Sequence, residues 1–182
     1  LNGILASISE VSVAVFGIYY KLQTFVYMPT NGLIQGMRPI ISYNYGARQR
    51  DRVTNTIKLS IMITSLIMIV GTCISVFFPE RVLMMFNAHD NMMNMGATAL
   101  RIISIGFIIS SISVILSGTF EALGDGNLSL IISLVRQFII IIPLSLILSR
   151  FLGVIGVWIS FPIAEIIAAM VAIILFKKKL IH

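Results

Sequence analysis

The sequence predicts an all-α integral membrane protein with five transmembrane helices. Of its 182 residues, 58% are hydrophobic and 11% are charged, and the mean hydropathy is +1.01. Soluble domains carry about 25% charged residues, so this chain has too few polar side chains to cover a water-exposed surface. The apolar residues also fall into runs that are long enough to cross a bilayer and that short polar turns separate.

The first predicted helix covers residues 11–46, which is longer than the roughly 20 residues that a span needs. A bend near Pro39, or a tilt of the helix, is expected to accommodate the excess. Gly32 and Gly36 are expected to allow close packing against a neighbouring helix, and Gly46 is expected to form the C-terminal cap. The other spans are predicted at residues 57–78, 95–122, 128–149 and 154–176.

The segment 80–94, between the second and third spans, has two alternative interpretations. Its apolar residues, among them Val82 and Leu83, fit a short amphipathic helix that lies on the bilayer surface. The alternative is an ordinary loop, and the sequence does not decide between the two.

Residue types that form metal sites or disulfides are scarce. Cys73 is the single cysteine and lies within an apolar run, while His89 falls in a loop and His182 in the tail. We therefore predict neither a disulfide nor a metal centre. Residues 124–127 (GDGN) look superficially like a calcium loop, but the later acidic ligands are absent and a turn is predicted instead.

The net charge of +6 comes from basic residues at the ends of the predicted spans. Such clustering disfavours nucleic-acid binding and fits the excess of Lys and Arg on the cytoplasmic side of membrane proteins. The C-terminus is therefore predicted to be cytoplasmic. The cytoplasmic side would carry Arg48, Arg50, Arg52, Lys58, Lys177, Lys178 and Lys179, and the opposite side Arg81, Arg101 and Arg150.

Ionisable residues inside predicted spans are candidates for function, because charge is costly in the bilayer. Lys21 lies about 15 Å along the first helix and Glu165 about 18 Å from the inner face, so both fall near mid-membrane. Lys21 either faces a cavity or extends outward along the helix. Glu165 either carries protons or forms a structural ion pair with Lys21. Arg38 and Arg136 are close enough to the inner face to extend to it as anchors.

Four polar residues recur every four positions along the first helix and so share one face: Gln23, Tyr27, Asn31 and Gln35. They either line a cavity or form hydrogen bonds between helices, and both alternatives stay open. Glu10 precedes this stripe at the outer end of the helix. It either attracts cations or is a solvated residue that the N-terminal helix dipole favours.

Three motifs carry a resemblance to a known family. Residues 32–53 (GLIQGMRPIISYNYGARQRDRV) closely resemble the cytoplasmic end of the eighth helix in the multidrug and toxic compound extrusion (MATE) family. The likeness is greatest to the MepA-like bacterial branch. Residues 120–127 (FEALGDGN) and 158–165 (WISFPIAE) continue it in the family's order and spacing.

This resemblance implies two six-helix lobes, of which the chain would be most of the second lobe, residues 1–182 matching helices eight to twelve. The start at Leu1, without an initiator methionine, fits that expectation. The resemblance further implies export of small cationic drugs across the bacterial inner membrane, by alternating access and in exchange for cations. Its expected partners are the lipid bilayer and the missing N-terminal lobe, with no cofactor, no nucleic acid and no enzymatic activity.

One departure from the family bears on the coupling ion. Sodium-coupled members have an aspartate midway along the tenth helix, and the matching place here falls near Ile112, among Ser110, Ser111 and Ser113. The missing acid favours protons over sodium at this lobe.

Three alternative functions are compatible with parts of the sequence. A lipid-linked oligosaccharide flippase of the same superfamily would need several cations at mid-membrane, and Lys21 is the clear one. A membrane-embedded enzyme would need clustered acids or histidines, which the sequence lacks. An inert truncated fragment is the third alternative.

Overall fold

Helices make up nearly the whole chain in the computed structural model, which describes residues 1–86, 88 and 90–181. The positions predicted for His89 and His182 therefore lie outside the described residues. Eight α-helices and one π-helical turn follow one another along the part of the chain that is described. They are α1 (Asn2–Ala6), α2 (Glu10–Gly46), α3 (Arg50–Phe77), α4 (Pro79–Met85), α5 (Asp90–Ala122), α6 (Gly126–Leu134), the π-helical turn (Val135–Ile139), α7 (Ile141–Leu152) and α8 (Val154–Ile181).

Four stretches of the described residues are long and apolar enough to cross a membrane: Arg50–Phe77, Met92–Ala122, Gly126–Leu152 and Val154–Lys179. Each coincides with one of the last four predicted spans. The predicted span at 11–46 corresponds to α2, which has the length but is not among the four. Polar residues such as Lys21 and Gln23 lower its hydropathy, so the fifth span stays a prediction.

Helix α5 is central and packs against α2, α3, α4, α6 and α8. Two apolar clusters form along it, one around Phe107 and one around Phe120. Buried serines separate the clusters, and their hydroxyls link α5 to its neighbours. The Tyr27 hydroxyl of α2 donates to Ser110 Oγ at 2.5 Å, and Ser65 of α3 lies 2.9 Å from Ser111 Oγ.

Helix α2 begins at Glu10 and remains helical through Pro29 and Pro39, so the predicted bend does not interrupt it. The predicted cap at Gly46 is wrong, because Gly46 is the last helical residue and Arg48 takes the left-handed conformation, with φ of 57°. The end of the helix closes through hydrogen bonds that run from the backbone N–H groups of residues 48 and 49 back into its last turn.

The glycines that bring helices together are not those predicted. A Cβ at Gly32 or Gly36 would meet nothing within 4 Å, so neither allows a close approach within the described chain. Gly118 of α5 allows a close approach between helices, because a Cβ there would lie 2.8 Å from Ile34 Cγ2 and 2.9 Å from Met37 Cε. The contact between α2 and α5 thus depends on a small residue of α5.

Helix α4 covers the first part of segment 80–94, for which the sequence allows either a helix on the bilayer surface or an ordinary loop. Residues Pro79–Met85 are helical, but Val82 and Leu83 are buried against α5 and do not face outward. Asp90 then begins α5, five residues before the predicted start of that span. The short helix is therefore docked on the bundle by its apolar side, and Met84 and Met85 remain exposed.

The turn between α5 and α6 lies beside the end of α8. Asp125 Oδ2 of the turn forms an ion pair with Lys179 Nζ, at a distance of 2.6 Å. This contact agrees with the prediction of a turn at residues 124–127. It also brings the end of α5 and the basic end of α8 to the same end of the bundle, as an alternating up-and-down arrangement requires.

Candidate functional site

A cavity of about 440 Å³ lies between α2, α5, α6 and the π-helical turn, and we call it the arginine cavity. Apolar side chains such as Ile34 and Ile132 form part of its wall. The remaining wall is polar and includes two arginines and one glutamate. These polar residues are Asn31, Gln35, Arg38, Ser113, Ser117, Glu121, Ser133 and Arg136.

An ion pair between Arg38 and Glu121 joins α2 to the end of α5 at this cavity. The second carboxylate oxygen of Glu121 accepts a hydrogen bond from Ser129 Oγ at 2.7 Å, and Ser129 Oγ lies 2.7 Å from Ser117 Oγ. Arg38, predicted to be an interface anchor, pairs with Glu121 in this structure, and its role as an anchor stays a prediction. Arg38 Nε is buried and has no hydrogen-bond partner among the described residues.

A second cavity, of about 150 Å³, adjoins the first and contains Glu165, so we call it the glutamate cavity. Its wall also includes Tyr20 and Gln23 of α2, Phe161 of α8 and Arg136. Glu165 Oε2 is buried and lacks a hydrogen-bond partner within the described part of the chain. A carboxylate with a free oxygen is thus held inside the bundle.

Arg136 lines both cavities and so connects them. Its position follows from Pro143, which has no N–H to donate to the carbonyl of Ile139 and whose ring would clash with that carbonyl. The helix widens into a π turn over Val135–Ile139, directly before this disruption. Arg136 lies in this turn and lines both cavities, which differs from the predicted role as an anchor.

Lys21 and Glu165 do not pair. Lys21 is exposed and lines an open recess with Gly17 and Tyr20. The two ion pairs found among the described residues are Arg38–Glu121 and Lys179–Asp125. Lys21 is two residues from Gln23, about 200° around the helix, and so points away from the cavity that holds Glu165. The alternative of a structural Lys21–Glu165 pair is therefore wrong.

The polar stripe of α2 has both of the roles left open for it, at different residues. Gln23 lines the glutamate cavity, and Asn31 and Gln35 line the arginine cavity. Tyr27 lies between them and forms the interhelical hydrogen bond to Ser110. The stripe therefore follows the two cavities in succession.

Glu10 lies outside this arrangement. It is exposed in the first turn of α2, directly after the N-cap Ser9, whose side chain accepts a hydrogen bond from the Val11 backbone N–H at 3.2 Å. A carboxylate there interacts favourably with the helix dipole. This geometry favours the interpretation of Glu10 as a solvated residue at the start of the helix.

The sequence interpretation missed Glu121, although this residue stands inside one of the motifs quoted for the family resemblance. A signal was available, since Arg38 and Glu121 are opposite charges near the same end of neighbouring spans. Counting residues from a helix end gives the depth of a side chain but not its partner.

A double-mutant cycle on Arg38→Gln and Glu121→Gln is expected to give a coupling energy of about 1 kcal/mol, because both side chains are more than a third exposed. The free energy of unfolding in detergent is the quantity to measure, and the Asp125–Lys179 pair is the matched control cycle. A coupling energy of zero for Arg38 and Glu121 would show that the pair contributes no stability.

The chain matches a family model described as MatE over residues 1–147. It is 27% identical over 177 residues to the multidrug export protein MepA of Staphylococcus saprophyticus and 29% identical over 177 residues to that of Staphylococcus aureus. Each alignment covers 96% of this chain but 38% of the relative. The chain therefore spans well under half the length of these curated relatives.

Solved structures share its fold. An outward-facing multidrug resistance MATE family transporter of the MOP superfamily aligns with a TM-score of 0.91 at 21% identity, over 98% of this chain and 41% of that chain. An inward-facing one aligns with a TM-score of 0.88 at 21% identity, over 97% of this chain and 42% of that chain.

Proposed function

Because this chain belongs to the MatE family, we propose that it forms most of one lobe of a bacterial multidrug exporter, with α2 as its fifth span. The complete exporter would move organic cations out of the cell in exchange for protons. The proposed site is in the inner membrane, with the C-terminus in the cytoplasm. The MatE family is a family of membrane transporters and not of enzymes.

One observation supports a transport site above all others. Two adjoining cavities place Arg136 and the free carboxylate of Glu165 inside a helical bundle that contains four stretches apolar enough to span a membrane. Charged groups in that setting are costly and mark pathways for ions or substrates.

The lobe is proposed to move as one body. The chain aligns about equally well with an outward-facing and an inward-facing MATE structure, as the TM-scores of 0.91 and 0.88 indicate. Such agreement supports alternating access in which two lobes rock about a central cavity while each keeps its own packing.

Glu165 is proposed to bind the coupling proton. Glu121, the acid of the neighbouring cavity, already has both oxygens engaged, by Arg38 and by Ser129. Glu165 Oε2 is free and buried, and it can therefore gain and lose a proton without breaking a hydrogen bond. The serines near Ile112, whose hydroxyls donate to backbone carbonyls of their own helix, offer sodium no carboxylate there.

Ethidium accumulation in bacterial cells tests the proposed function. Cells would express this chain alone and, separately, the same reading frame extended upstream, each with and without a proton uncoupler. We expect the extended form to lower accumulation, and the uncoupler to abolish that effect. The chain alone is expected to have no effect, because one lobe does not enclose a central cavity.

Two results would contradict the proposal. Unchanged accumulation with the extended form, despite its presence in the membrane, would argue against drug export. Export that persists with the uncoupler but collapses when sodium is removed would argue for sodium as the coupling ion.

A further inference from the structure

We propose that the arginine cavity binds the carboxylate group of an organic anion, and that Arg136 is its principal ligand. The proposed export of cations neither requires nor predicts such a site. The inference depends on the charges and contacts of the cavity itself and therefore stands apart from the transport cycle.

The charges that line the arginine cavity do not cancel. Among the described residues of its wall, Arg38 and Arg136 are cationic and Glu121 is anionic. Glu121 is committed to Arg38 and to Ser129, so it does not neutralise Arg136. One further negative charge would balance this wall; Glu165 lies in the adjoining cavity, and an anion from outside the chain can supply the charge here.

Arg136 is available to such an anion. It forms no ion pair within the described part of the chain, and it lines both cavities. Glu165 lines the glutamate cavity together with Arg136, but the two form no ion pair among the described residues. A guanidinium presents its donors as a planar fork that matches the two oxygens of a carboxylate.

The size and the polar wall of the cavity fit a small organic molecule. Its volume of about 440 Å³ lies within the range of ligand pockets. Ser133 offers a hydroxyl, and Asn31 and Gln35 offer amides, for groups other than the carboxylate. The buried N–H of Arg38 Nε, which has no partner among the described residues, is a second donor at the same wall. A cationic drug would instead meet the net positive charge of this wall.

The test uses three probes of nearly equal shape: benzoate, which is anionic, benzamide, which is neutral, and benzylammonium, which is cationic. The protein, with its reading frame extended upstream where it continues, is placed in nanodiscs of phosphatidylcholine. Binding of radiolabelled benzoate is then measured by competition. We expect saturable binding that unlabelled benzoate displaces and that benzamide and benzylammonium do not.

Variants connect this binding to Arg136. Arg136→Gln is expected to weaken benzoate binding at least about tenfold, and Arg136→Lys less, because a lysine keeps the charge but not the fork. Arg101→Gln is the matched control, since Arg101 is exposed on the same bundle and donates to the Val76 carbonyl at 3.3 Å. The emission of Trp158, which is buried, verifies that each variant is folded.

The opposite results would overturn the proposal. One such result is benzoate binding that does not saturate, and another is benzoate binding by Arg136→Gln that equals that of the parent protein. A third is displacement of radiolabelled benzoate by benzylammonium as effectively as by unlabelled benzoate.

Nanodiscs that contain phosphatidylglycerol identify the source of the anion. Displacement of benzoate by this lipid, lost in Arg136→Gln, would overturn the assignment to a carboxylate in favour of a lipid phosphate, and no displacement supports a soluble carboxylate.

Discussion

Replacement of Gly156 with alanine is expected to cause the largest loss of stability of any single methyl group added to this chain. A Cβ at Gly156 would lie 2.3 Å from the backbone oxygen of Leu148 and 2.5 Å from its carbonyl carbon. These are main-chain atoms, so no side-chain rotation can relieve the clash, and α7 must move away from α8. We expect a loss of about 3 kcal/mol, at the upper end for overpacking.

Trp158 provides the measurement. It is the single tryptophan of the chain, is buried in α8 and lies two residues from Gly156. Thermal unfolding followed by its emission should give a midpoint several degrees lower for Gly156→Ala. Gly36→Ala is the matched control, because a Cβ there meets nothing within 4 Å. Equal midpoints for the two variants would show that α7 and α8 tolerate a wider separation.

The spans of α3, α5 and α8 were predictable because bilayer thickness imposes a length on apolar runs. The turn at Asp125 was predictable as well, since glycines flank it and α5 ends there. Neither prediction required knowledge of any neighbour. Both depend on properties that one segment has by itself.

The partners of the charged residues were not predictable in the same way. A residue count puts Arg38 and Arg136 near the inner face, and an anchor is then the simplest interpretation. Which way each side chain turns depends on contacts from other helices, such as Glu121, and on the π turn that Pro143 imposes. Pro143 was visible in the sequence, but the identity of the residue that it would redirect was not.

The contacts of the glycines and of the polar stripe of α2 were also not predictable from the sequence. Gly32 and Gly36 have the spacing of a packing motif, yet Gly118 is where α2 and α5 come close. The spacing of four in the stripe correctly put Gln23, Tyr27, Asn31 and Gln35 on one face. It did not show that this face crosses two cavities with a hydrogen bond between them.

Glu165→Gln is expected to abolish proton-driven export while leaving the lobe folded. The amide is nearly the same size as the carboxylate but cannot exchange a proton, and it remains polar within the glutamate cavity. If Glu165 binds the coupling proton, ethidium efflux from proteoliposomes that contain the form extended upstream should fall by about tenfold or more under an imposed proton gradient. Trp158 emission should be unchanged.

Two further variants separate coupling from packing. Glu80→Gln removes an exposed glutamate of α4 and should leave efflux unchanged. Glu165→Asp retains a titratable group and should restore part of the efflux that Glu165→Gln loses. If Glu165→Gln exports ethidium as fast as the parent and remains sensitive to the uncoupler, the proton must bind elsewhere. The free oxygen of Glu165 would then be a feature of packing around Arg136, and the two cavities would have to be explained by ligand binding alone.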